Sequence, residues 1–380
     1  MTRVFLSCGE ASGDLYAGEL IESLEAKTRV ECFGLGGPAM ERAGAELVVP
    51  LDEVSVIGLV EVVAKLPALR RTMARLVSAC EQRRPDVAVL IDFSGFNLRL
   101  ARRLHAMDIP IVYYVSPQVW AWRQRRAATI RALVRKMLVL LPFEEAFYRQ
   151  HGVPVRHVGH PLVDRVQPSE SAAPLLRRLG LNVDEPYLMI LPGSRRRELD
   201  LHMPVLAQAI VRLGEERPGL QFVVSRAPWV EAAHYAPLAQ LAPRLPVALL
   251  EGDLHTGLAH ASAAIIASGT ATLETALCGT PMVVVYRVGW ASYLLGRPFV
   301  RVPHFAMVNL IAESRVVPEL IQSDMSPDRI VSEVTSLLGS ETRLAEQRQG
   351  LAAIRDRLGP PGASGRAADE ILEVAREQQA

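Results

Sequence analysis

The chain has 380 residues, of which 49% are hydrophobic and 22% charged, and its formal net charge is +1. This length allows two or three domains with separate cores, and the near-neutral charge excludes a global preference for nucleic acid. No apolar run approaches the roughly 20 residues that span a bilayer, and the N-terminus lacks the layout of a signal peptide. The four scattered cysteines favour neither a disulfide framework nor a zinc site, so we expect a cytoplasmic protein.

Short apolar runs alternate with segments of helical period along the first half of the chain. The run Val4 to Leu6 precedes a glycine-bearing turn and then apolar residues at helical spacing. The segment 30–33 leads to a second glycine-rich turn, where Pro38 suits the first turn of a helix. Continuous apolar runs, typical of parallel strands covered on both faces, follow at 87–91, 109–115 and 136–141.

The turn after the first predicted strand is polar and small, with the sequence SCGEASGDL (7–15). Asp14 is a natural N-cap for the helix that follows. Glu10, Ser12, Gly13 and Asp14 suit a structural role or the lining of a substrate site equally well.

The segment 54–76 combines many aliphatic residues with a basic end that contains Lys65, Arg70, Arg71 and Arg75. An apolar face edged with positive charge is typical of contact with an anionic lipid surface. The alternative is a core helix with a solvated basic end. A second basic segment, 123–136, has no aromatic interleaving, so a phosphate-rich membrane surface is a better expected partner than nucleic acid.

Asp92 follows the predicted strand 87–91, at the end where ligands collect in parallel sheets. A carboxylate in this position can serve as a general base, with a pKa set by burial and by its neighbours. The alternative is an aspartate that caps the next turn.

The segment 165–186 is rich in proline, serine and charge, which predicts a linker. The alternation then restarts, and helical patterns fill the chain from about 327. Two doubly wound α/β domains facing a central cleft are therefore expected, over 1–164 and 165–360, with a C-terminal helix at about 361–380 that packs back on the first. The predicted strands of the second domain are 187–191, 220–225, 247–250, 263–267 and 281–286.

Gly193 and Ser194 stand between a predicted strand and a predicted helix, where free N–H groups and the helix dipole favour an anion. Arg195 can add a planar, doubly donating contact to a phosphate, and the charge of Glu198 is tolerated in the first helical turn. The alternative is a capped surface turn with solvated arginines.

A second loop of small residues follows the predicted strand 263–267 and offers another place for an anion, at Ser268, Gly269, Thr270, Ala271 and Thr272. Glu274 lies one turn into the next helix, where it can accept two hydroxyls of a ribose. Capping alone also explains these residue types. Two such loops in one domain favour a nucleotide diphosphate, whereas a dinucleotide cofactor is disfavoured because neither half begins with G-x-G-x-x-G. The histidines show no metal-ligand spacing, so neither a metal nor another cofactor is expected.

Six stretches, in order from the first turn to about residue 320, resemble lipid-A-disaccharide synthase. They are GEASGD, YVSPQVWAWR (114–123), LPFEEAFY (141–148), VGHPL (158–162), LPGSRRRE (191–198) and ASGTATLE (267–274). The resemblance implies an inverting, metal-independent GT-B glycosyltransferase that acts at the inner face of the cytoplasmic membrane. It would join UDP-2,3-diacylglucosamine to 2,3-diacylglucosamine 1-phosphate, giving the tetraacyl disaccharide 1-phosphate and UDP. A homodimer built through the C-terminal part is also implied.

The resemblance also implies roles for individual residues. The 193–195 and 268–272 loops would hold the UDP pyrophosphate, Glu274 the ribose, and the loop near Leu254 would face uracil. Asp92 would deprotonate the acceptor 6-hydroxyl. Asn309 would face the donor, and Glu198 would lie among the residues that line the donor or acceptor. Ser94 and Val308 stand where the family usually has proline, which puts the backbone around Asp92 and Asn309 in question.

Two other functions are compatible with the same plan. One is a UDP-sugar epimerase, which usually places histidine and paired acids around a water-soluble sugar nucleotide. The other is a membrane-peripheral nucleotide-binding module without catalysis. Loss of transfer on replacing Asp92 separates the transferase from the binding module, and detergent dependence separates lipid from soluble substrates.

Overall fold

The computed structural model describes residues 1–54, 66–122, 124–241, 244–289 and 304–379. The chain divides into two compact units, which are Met1–Pro161 with Leu358–Ala380, and Leu162–Arg357. Within the described residues, each unit contains one sheet, and every strand pair in both sheets is parallel.

The sheet of the first unit has the order β3-β2-β1-β4-β5-β6-β7 among the described residues. The chain crosses back after β3 to pair β4 with β1, as in doubly wound sheets. The strands are β1 (Thr2–Cys8), β2 (Val30–Gly36), β3 (Glu46–Pro50), β4 (Val87–Ile91), β5 (Ile111–Tyr114), β6 (Lys136–Val139) and β7 (Val155–His157).

Helices cover both faces of this sheet. Successive strand residues point to opposite sides, and here both sides carry apolar residues that must be buried. Leu6 and Val89 pack in one buried cluster, whereas their chain neighbours Phe5 and Leu90 pack in another on the opposite face. The helices are α1 (Ala11–Glu25), α2 (Pro38–Arg42), α3 (Leu66–Arg83), α4 (Ser94–His105), α5 (Val119–Trp122), α6 (Arg126–Leu133) and α7 (Pro142–Gln150), with a 3₁₀ turn at Leu51–Glu53.

The last helix of the chain, α17 (Ala363–Gln379), belongs to the first unit. Ala367, Ile371 and Ala375 are buried in the same cluster as Leu20 and Ile21 of α1. Polar contacts add to this packing where the Arg366 Nε donates to the Val158 carbonyl at 2.8 Å.

The sheet of the second unit has the order β10-β9-β8-β11-β12-β13 among the described residues. Its strands are β8 (Tyr187–Leu191), β9 (Gln221–Ser225), β10 (Val247–Leu250), β11 (Ala263–Ala267), β12 (Met282–Tyr286) and β13 (Glu319–Ile321). Its helices are α8 (Leu162–Arg165), α9 (Ala173–Arg178), α10 (Arg196–Glu216), α11 (Ala236–Ala239), α12 (Leu254–Ala259), α13 (Ala271–Leu277), α14 (Met307–Ala312), α15 (Pro327–Leu338) and α16 (Glu341–Arg357), with 3₁₀ turns at Ala232–Tyr235 and Gln322–Asp324.

The segment expected to be a linker is partly helical. Helix α9 lies inside it, and Pro174 occupies the first turn, a position that proline favours. The helix is fixed to the unit because Leu175 and Leu176 are buried.

The segment 54–76, predicted to contact a membrane, is described only in part, since 55–65 lie outside the described residues. In the described remainder, Thr72 and Leu76 of α3 are buried. Arg75 is held within the unit, where it donates to a Glu53 carboxylate oxygen at 2.6 Å. The second basic segment is also partly paired, because Lys136 contacts Glu370 and Glu373 of α17. Among the described helices, none is both long enough and apolar enough to cross a membrane.

Candidate active site

The carboxyl ends of β1, β4 and β5 lie side by side in the first unit. Cys8 pairs with Ile91, and Ile91 pairs with Tyr114, so the residues that follow these strands are neighbours at one edge of the sheet. Asp92 and Val115 are two of these residues. The Asp92 N–H lies 3.3 Å from the carbonyls of both Tyr114 and Val115.

Three non-glycine residues at this edge have left-handed backbone conformations. Their φ angles are 44° for Asp92, 45° for Phe93 and 64° for Val115. Each costs on the order of 1–3 kcal/mol and persists only where the surroundings hold it, and such strain collects at functional sites. Ser94 begins helix α4 directly after this turn, so a strand-to-helix turn forms at Asp92 with serine in place of the family's proline.

Asp92 is half-buried. Burial, with a smaller contribution from the negative charge of Glu10, raises the pKa of Asp92 to about 6, against a lowering by the Phe93 N–H. A carboxyl group with a pKa near neutrality is well matched to accept a proton from a hydroxyl.

The ring of Phe93 packs against Gly9, which has no side chain to obstruct it. A Cβ at position 9 would lie 2.1 Å from the Cγ of Phe93, so the ring packs where any larger residue would have its side chain. Phe93 also stacks on Phe96, with ring centroids 5.2 Å apart. The first glycine of the GEASGD motif therefore accommodates the turn that carries Asp92.

The remaining candidates of the GEASGD motif divide into two groups. Glu10 and Ser12 are exposed at the start of α1, whereas Gly13 and Asp14 are buried. Asp14 was expected to cap α1, but the N-cap of α1 is Glu10. The carboxylate of Asp14 instead accepts hydrogen bonds from backbone N–H groups at the start of α2, from Gly37 at 2.7 Å, Ala39 at 2.9 Å and Met40 at 3.2 Å. These bonds give Asp14 a structural task.

A buried polar cluster holds the loop after β5 against helix α7. Glu144 is 3% exposed, and its carboxylate accepts from the Trp120 Nε1 at 3.1 Å and from the Leu141 N–H at 3.2 Å. Tyr148 and Ser116 share a hydroxyl–hydroxyl bond of 2.8 Å beside them. Burial raises the pKa of Glu144 to about 7. The cluster joins two of the stretches that carry the family resemblance.

In the second unit, the loop after β8 leads into α10 as expected, but its N–H groups are not free. One Glu198 carboxylate oxygen accepts from the Ser194 N–H at 3.1 Å and lies 3.4 Å from the Arg195 nitrogen. The other carboxylate oxygen accepts from the Arg195 guanidinium at 3.1 Å. Gly193 has a φ of 124°, and a Cβ added to it would lie 2.7 Å from a Glu198 carboxylate oxygen. Only glycine therefore fits at this position. The loop thus binds an internal anion.

His202 connects this loop to the end of β12, a role that the sequence pattern did not indicate. The ring is fully buried on α10, with Nδ1 2.7 Å from the Pro192 carbonyl and Nε2 3.0 Å from the Arg287 nitrogen. In the neutral tautomer with the proton on Nδ1, the ring donates to Pro192 and accepts from Arg287. These two hydrogen bonds hold the loop after β8 against the residue that follows β12.

The second small-residue loop follows β11, next to β8 in the sheet. Gly269 and Thr270 are exposed, Ser268 and Ala271 are half-buried, and Thr272 is buried with its hydroxyl donating to the Gly269 carbonyl at 2.8 Å. A Cβ at Gly269 would meet no atom within 4 Å, so the loop borders open space.

Glu274 and the loop near Leu254 are brought together by a residue that the sequence did not single out. The Nε2 of His255, which follows Leu254 on α12, lies 3.3 Å from a carboxylate oxygen of Glu274. The side chains of both His255 and Glu274 are partly exposed, and Leu254 is half-buried. A carboxylate and an imidazole in this position can accept and donate hydrogen bonds to a hydroxylated ligand.

Asn309 is fully buried, and its amide is used within the unit. Its Nδ2 donates to the Val317 carbonyl at 2.9 Å and to Glu319 at 2.8 Å, while its Oδ1 accepts from the N–H groups of Val316 and Val317. These bonds fix the loop before β13. Val308, where the family has proline, is buried beside it.

Over the described ranges, histidine, cysteine, aspartate and glutamate side chains do not gather in a group of three or more that could hold a metal ion.

Two Rossmann-like domains, each with small or charged residues after its central strands, define a protein of the GT-B fold class. Solved structures of a glycosyltransferase and of an epimerase share this fold. The calicheamicin glycosyltransferase has a TM-score of 0.62 at 18% identity over 98% of each chain. UDP-GlcNAc 2-epimerase from Neisseria meningitidis has a TM-score of 0.66 at 12% identity over 99% of this chain and 100% of its own.

The sequence profile of the lipid-A-disaccharide synthetase family matches residues 4–364. Lipid-A-disaccharide synthase from Myxococcus xanthus is 43% identical over 98% of this chain and 97% of its own length. The chain belongs to the lipid-A-disaccharide synthetase family, and it is a glycosyltransferase of lipid A biosynthesis.

Proposed function

We propose that the protein transfers 2,3-diacylglucosamine from its UDP conjugate to 2,3-diacylglucosamine 1-phosphate, giving the β-1,6-linked tetraacyl disaccharide 1-phosphate and UDP. The acceptor 6-hydroxyl attacks the donor C1 while the bond from C1 to the UDP oxygen breaks. The configuration at C1 inverts because attack and departure occur on opposite faces of the sugar. The family membership supports this reaction, and the acidic edge of the first unit supplies the chemistry that it needs.

Asp92 is the proposed general base. It takes the proton of the acceptor hydroxyl as the new bond forms. The observation that carries this assignment is a half-buried carboxyl whose pKa is raised to about 6, at a strained turn following a central strand. Such a group is largely ionised at neutral pH and still basic enough to accept a proton in the transition state.

The second unit is the proposed UDP site, with Arg195 and the loops 193–195 and 268–272 on the pyrophosphate. In the first loop, the Glu198 carboxylate already accepts hydrogen bonds from the backbone amide of Ser194 and from the guanidinium of Arg195. The diphosphate therefore displaces this carboxylate when it binds to the same donors. Donors fixed before the reaction stabilise the charge that develops on UDP as it leaves, and no metal ion is required for this. Glu274 and His255 are proposed to bind the ribose, and the segment at Leu254 is proposed to face uracil.

The remaining candidates have supporting roles in this proposal. Glu10 and Ser12 are exposed beside the Asp92 turn and are suited to contact the acceptor, whereas Gly13 and Asp14 support the backbone. Asn309 acts on the donor only through the loop that it fixes.

We also propose a peripheral association with the inner face of the cytoplasmic membrane through about 54–76. Both substrates carry acyl chains, and Arg70 and Arg71 are exposed on α3, where they can meet anionic headgroups. Sedimentation with anionic and with neutral vesicles tests this, and equal binding to both would contradict a charge-based contact.

We also propose a homodimer built through the C-terminal part of the chain. The molar mass of the protein in solution tests this.

The UDP-sugar epimerase remains the second candidate because the solved structures with the same fold include an epimerase. Its identity of 12% shows the fold alone, whereas the synthase from Myxococcus xanthus is 43% identical. A binding module without catalysis would not need a carboxyl whose pKa is raised to about 6 beside a strained turn.

One assay tests the proposed reaction. The purified protein is incubated with both acylated glucosamine substrates, and UDP and disaccharide are quantified together. Equal amounts of the two products, formed only when the acceptor is present, support the proposal. UDP release without acceptor, or interconversion of the free donor, would point to hydrolysis or epimerisation instead.

A further inference from the structure

The carbonyl oxygen of Asp92 is held by two buried side chains. The Tyr113 hydroxyl donates to it at 2.5 Å, and the Asn97 Nδ2 lies 3.1 Å away. Both donors are fully buried. Burial raises the pKa of Tyr113 far above its ordinary value, so the phenol stays protonated and remains a donor at working pH.

The two donors are themselves fixed. Asn97 accepts from the Ser7 hydroxyl at 2.7 Å and donates to the Ser7 carbonyl at 3.1 Å, which ties it to the end of β1. Tyr113 is a residue of β5 that pairs with Leu90 of β4. The hydroxyl therefore reaches the Asp92 carbonyl from a strand that cannot shift without breaking the sheet.

These hydrogen bonds hold a strained segment of the backbone. Asp92 and Phe93 are both in the left-handed region, a conformation that costs on the order of 1–3 kcal/mol for each residue. A carbonyl held from two sides keeps the peptide plane after Asp92 from rotating back to an ordinary conformation. Since the Cβ of Asp92 moves with its backbone, the two bonds also determine where the carboxyl group points.

We propose that Tyr113 is a positioning residue for Asp92, and that its hydroxyl, together with the Asn97 amide, holds the catalytic carboxyl in its partly buried position. This inference rests on the proposed function of Asp92 as the base. Tyr113 does not touch the substrate. Small displacements of a reacting group have large kinetic effects, of up to about a hundredfold for 1 Å.

If the Tyr113 hydrogen bond served only the stability of the fold, its removal would leave the ionisation of Asp92 unchanged. The charged groups acting on this corner are Glu10 at the start of α1, Asp92 itself, and Arg126 at the start of α6, which acts on Tyr113 together with Tyr148. Removing the neutral Tyr113 hydroxyl changes neither the charge of Glu10 nor the charge of Arg126. A shift in the ionisation of Asp92 would therefore report a movement of its carboxyl group.

The test compares Tyr113→Phe with Tyr148→Phe in the full-length protein, measuring kcat, both KM values and the pH dependence of kcat/KM. Tyr148 is also a fully buried tyrosine of the first unit, and its hydroxyl bonds to Ser116. Active protein is counted by UDP titration, so partial unfolding does not imitate a loss of turnover. We expect Tyr113→Phe to lower kcat about tenfold, the size of one lost hydrogen bond, with an unchanged donor KM.

The acid limb of the Tyr113→Phe profile should move to lower pH, because a carboxyl group released from its buried position has a more ordinary pKa. The limb of Tyr148→Phe should stay in place. An unchanged kcat for Tyr113→Phe, or a lower kcat with an unmoved limb, would overturn the positioning role. Asp92→Asn is measured in parallel: if it retains full turnover, the base assignment itself fails, whatever Tyr113→Phe shows.

Discussion

The carboxylate of Glu198 accepts the Ser194 N–H at 3.1 Å and also pairs with the guanidinium of Arg195. One acidic side chain thus occupies the donors that a diphosphate would use. The arrangement is a capping box, in which a glutamate in the first helical turn satisfies the N–H groups before it. In the proposed enzyme it also keeps the loop in an anion-binding shape between turnovers.

Glu198→Gln should therefore strengthen UDP binding. The amide still accepts one loop hydrogen bond but carries no negative charge beside the diphosphate, and we expect the Kd of UDP to fall about fivefold at low salt. Isothermal titration measures this directly. Glu231→Gln is the matched control, because the Glu231 carboxylate pairs with Arg196, the next residue along, at 2.7 Å. Unchanged or weaker UDP binding in Glu198→Gln would contradict the exchange of carboxylate for diphosphate.

The pH dependence of transfer should show one acidic limb. Burial, with the charge of Glu10, raises the pKa of Asp92 to about 6, and only the ionised carboxylate can accept a proton. Hence kcat/KM should fall about tenfold for each pH unit below 6 and level off above it. Glu10→Gln should move the limb to lower pH, because it removes a charge that raises the pKa.

Asp92→Asn should lower kcat by about 10²–10⁴-fold while leaving UDP binding intact. Any residual activity should lack the acidic limb. A limb that persists in Asp92→Asn would assign the titration to another group.

Glu144 should make the folded state less stable as the pH rises. Its pKa of about 7 in the folded protein lies above the ordinary value of 4.5, so the folded protein binds an extra proton between these pH values. Its contribution is fully present below about pH 4.5 and is lost as the pH rises through 7.

Glu144→Gln isolates this contribution, because the other groups titrate equally in both proteins. Relative to the parent, the variant should gain unfolding free energy on the order of 1–3 kcal/mol between pH 5 and pH 8. It loses part of the bonding to Trp120 and Leu141 at every pH, so the change with pH is the informative quantity. Urea unfolding at the two pH values measures it, and a pH-independent difference would contradict the raised pKa.

The fold class could be predicted from the sequence and is confirmed, because buried parallel strands leave continuous apolar runs. VAVLI and YLMIL correspond residue for residue to β4 and β8. Strands β3, β7 and β13 were not predicted. They have five residues or fewer and lie at or near the sheet edges, and their partial exposure interrupts the apolar pattern.

The candidate site could be predicted by position but not by hydrogen bonding. Asp92 and the 193–195 loop directly follow buried strands that were predicted from the sequence, and polar residues after such strands gather at one edge of a parallel sheet. Which partner a side chain selects depends on tertiary contacts. Asp14 therefore bonds to α2, and Asn309 bonds to the loop before β13. His202 and His255 carry no local signal, since their partners lie on other elements of the second unit.

Arg195 of the second unit is proposed to stabilise the diphosphate of departing UDP. The most direct measurement is kcat and the UDP dissociation constant of Arg195→Ala beside Arg197→Ala, an exposed arginine of the same cluster. Our expectation is that Arg195→Ala lowers kcat by about 10²–10³-fold and weakens UDP binding, because it removes one fixed donor to the leaving group, whereas Arg197→Ala changes both quantities little. Equal turnover and equal UDP affinity in Arg195→Ala and the parent protein would contradict it.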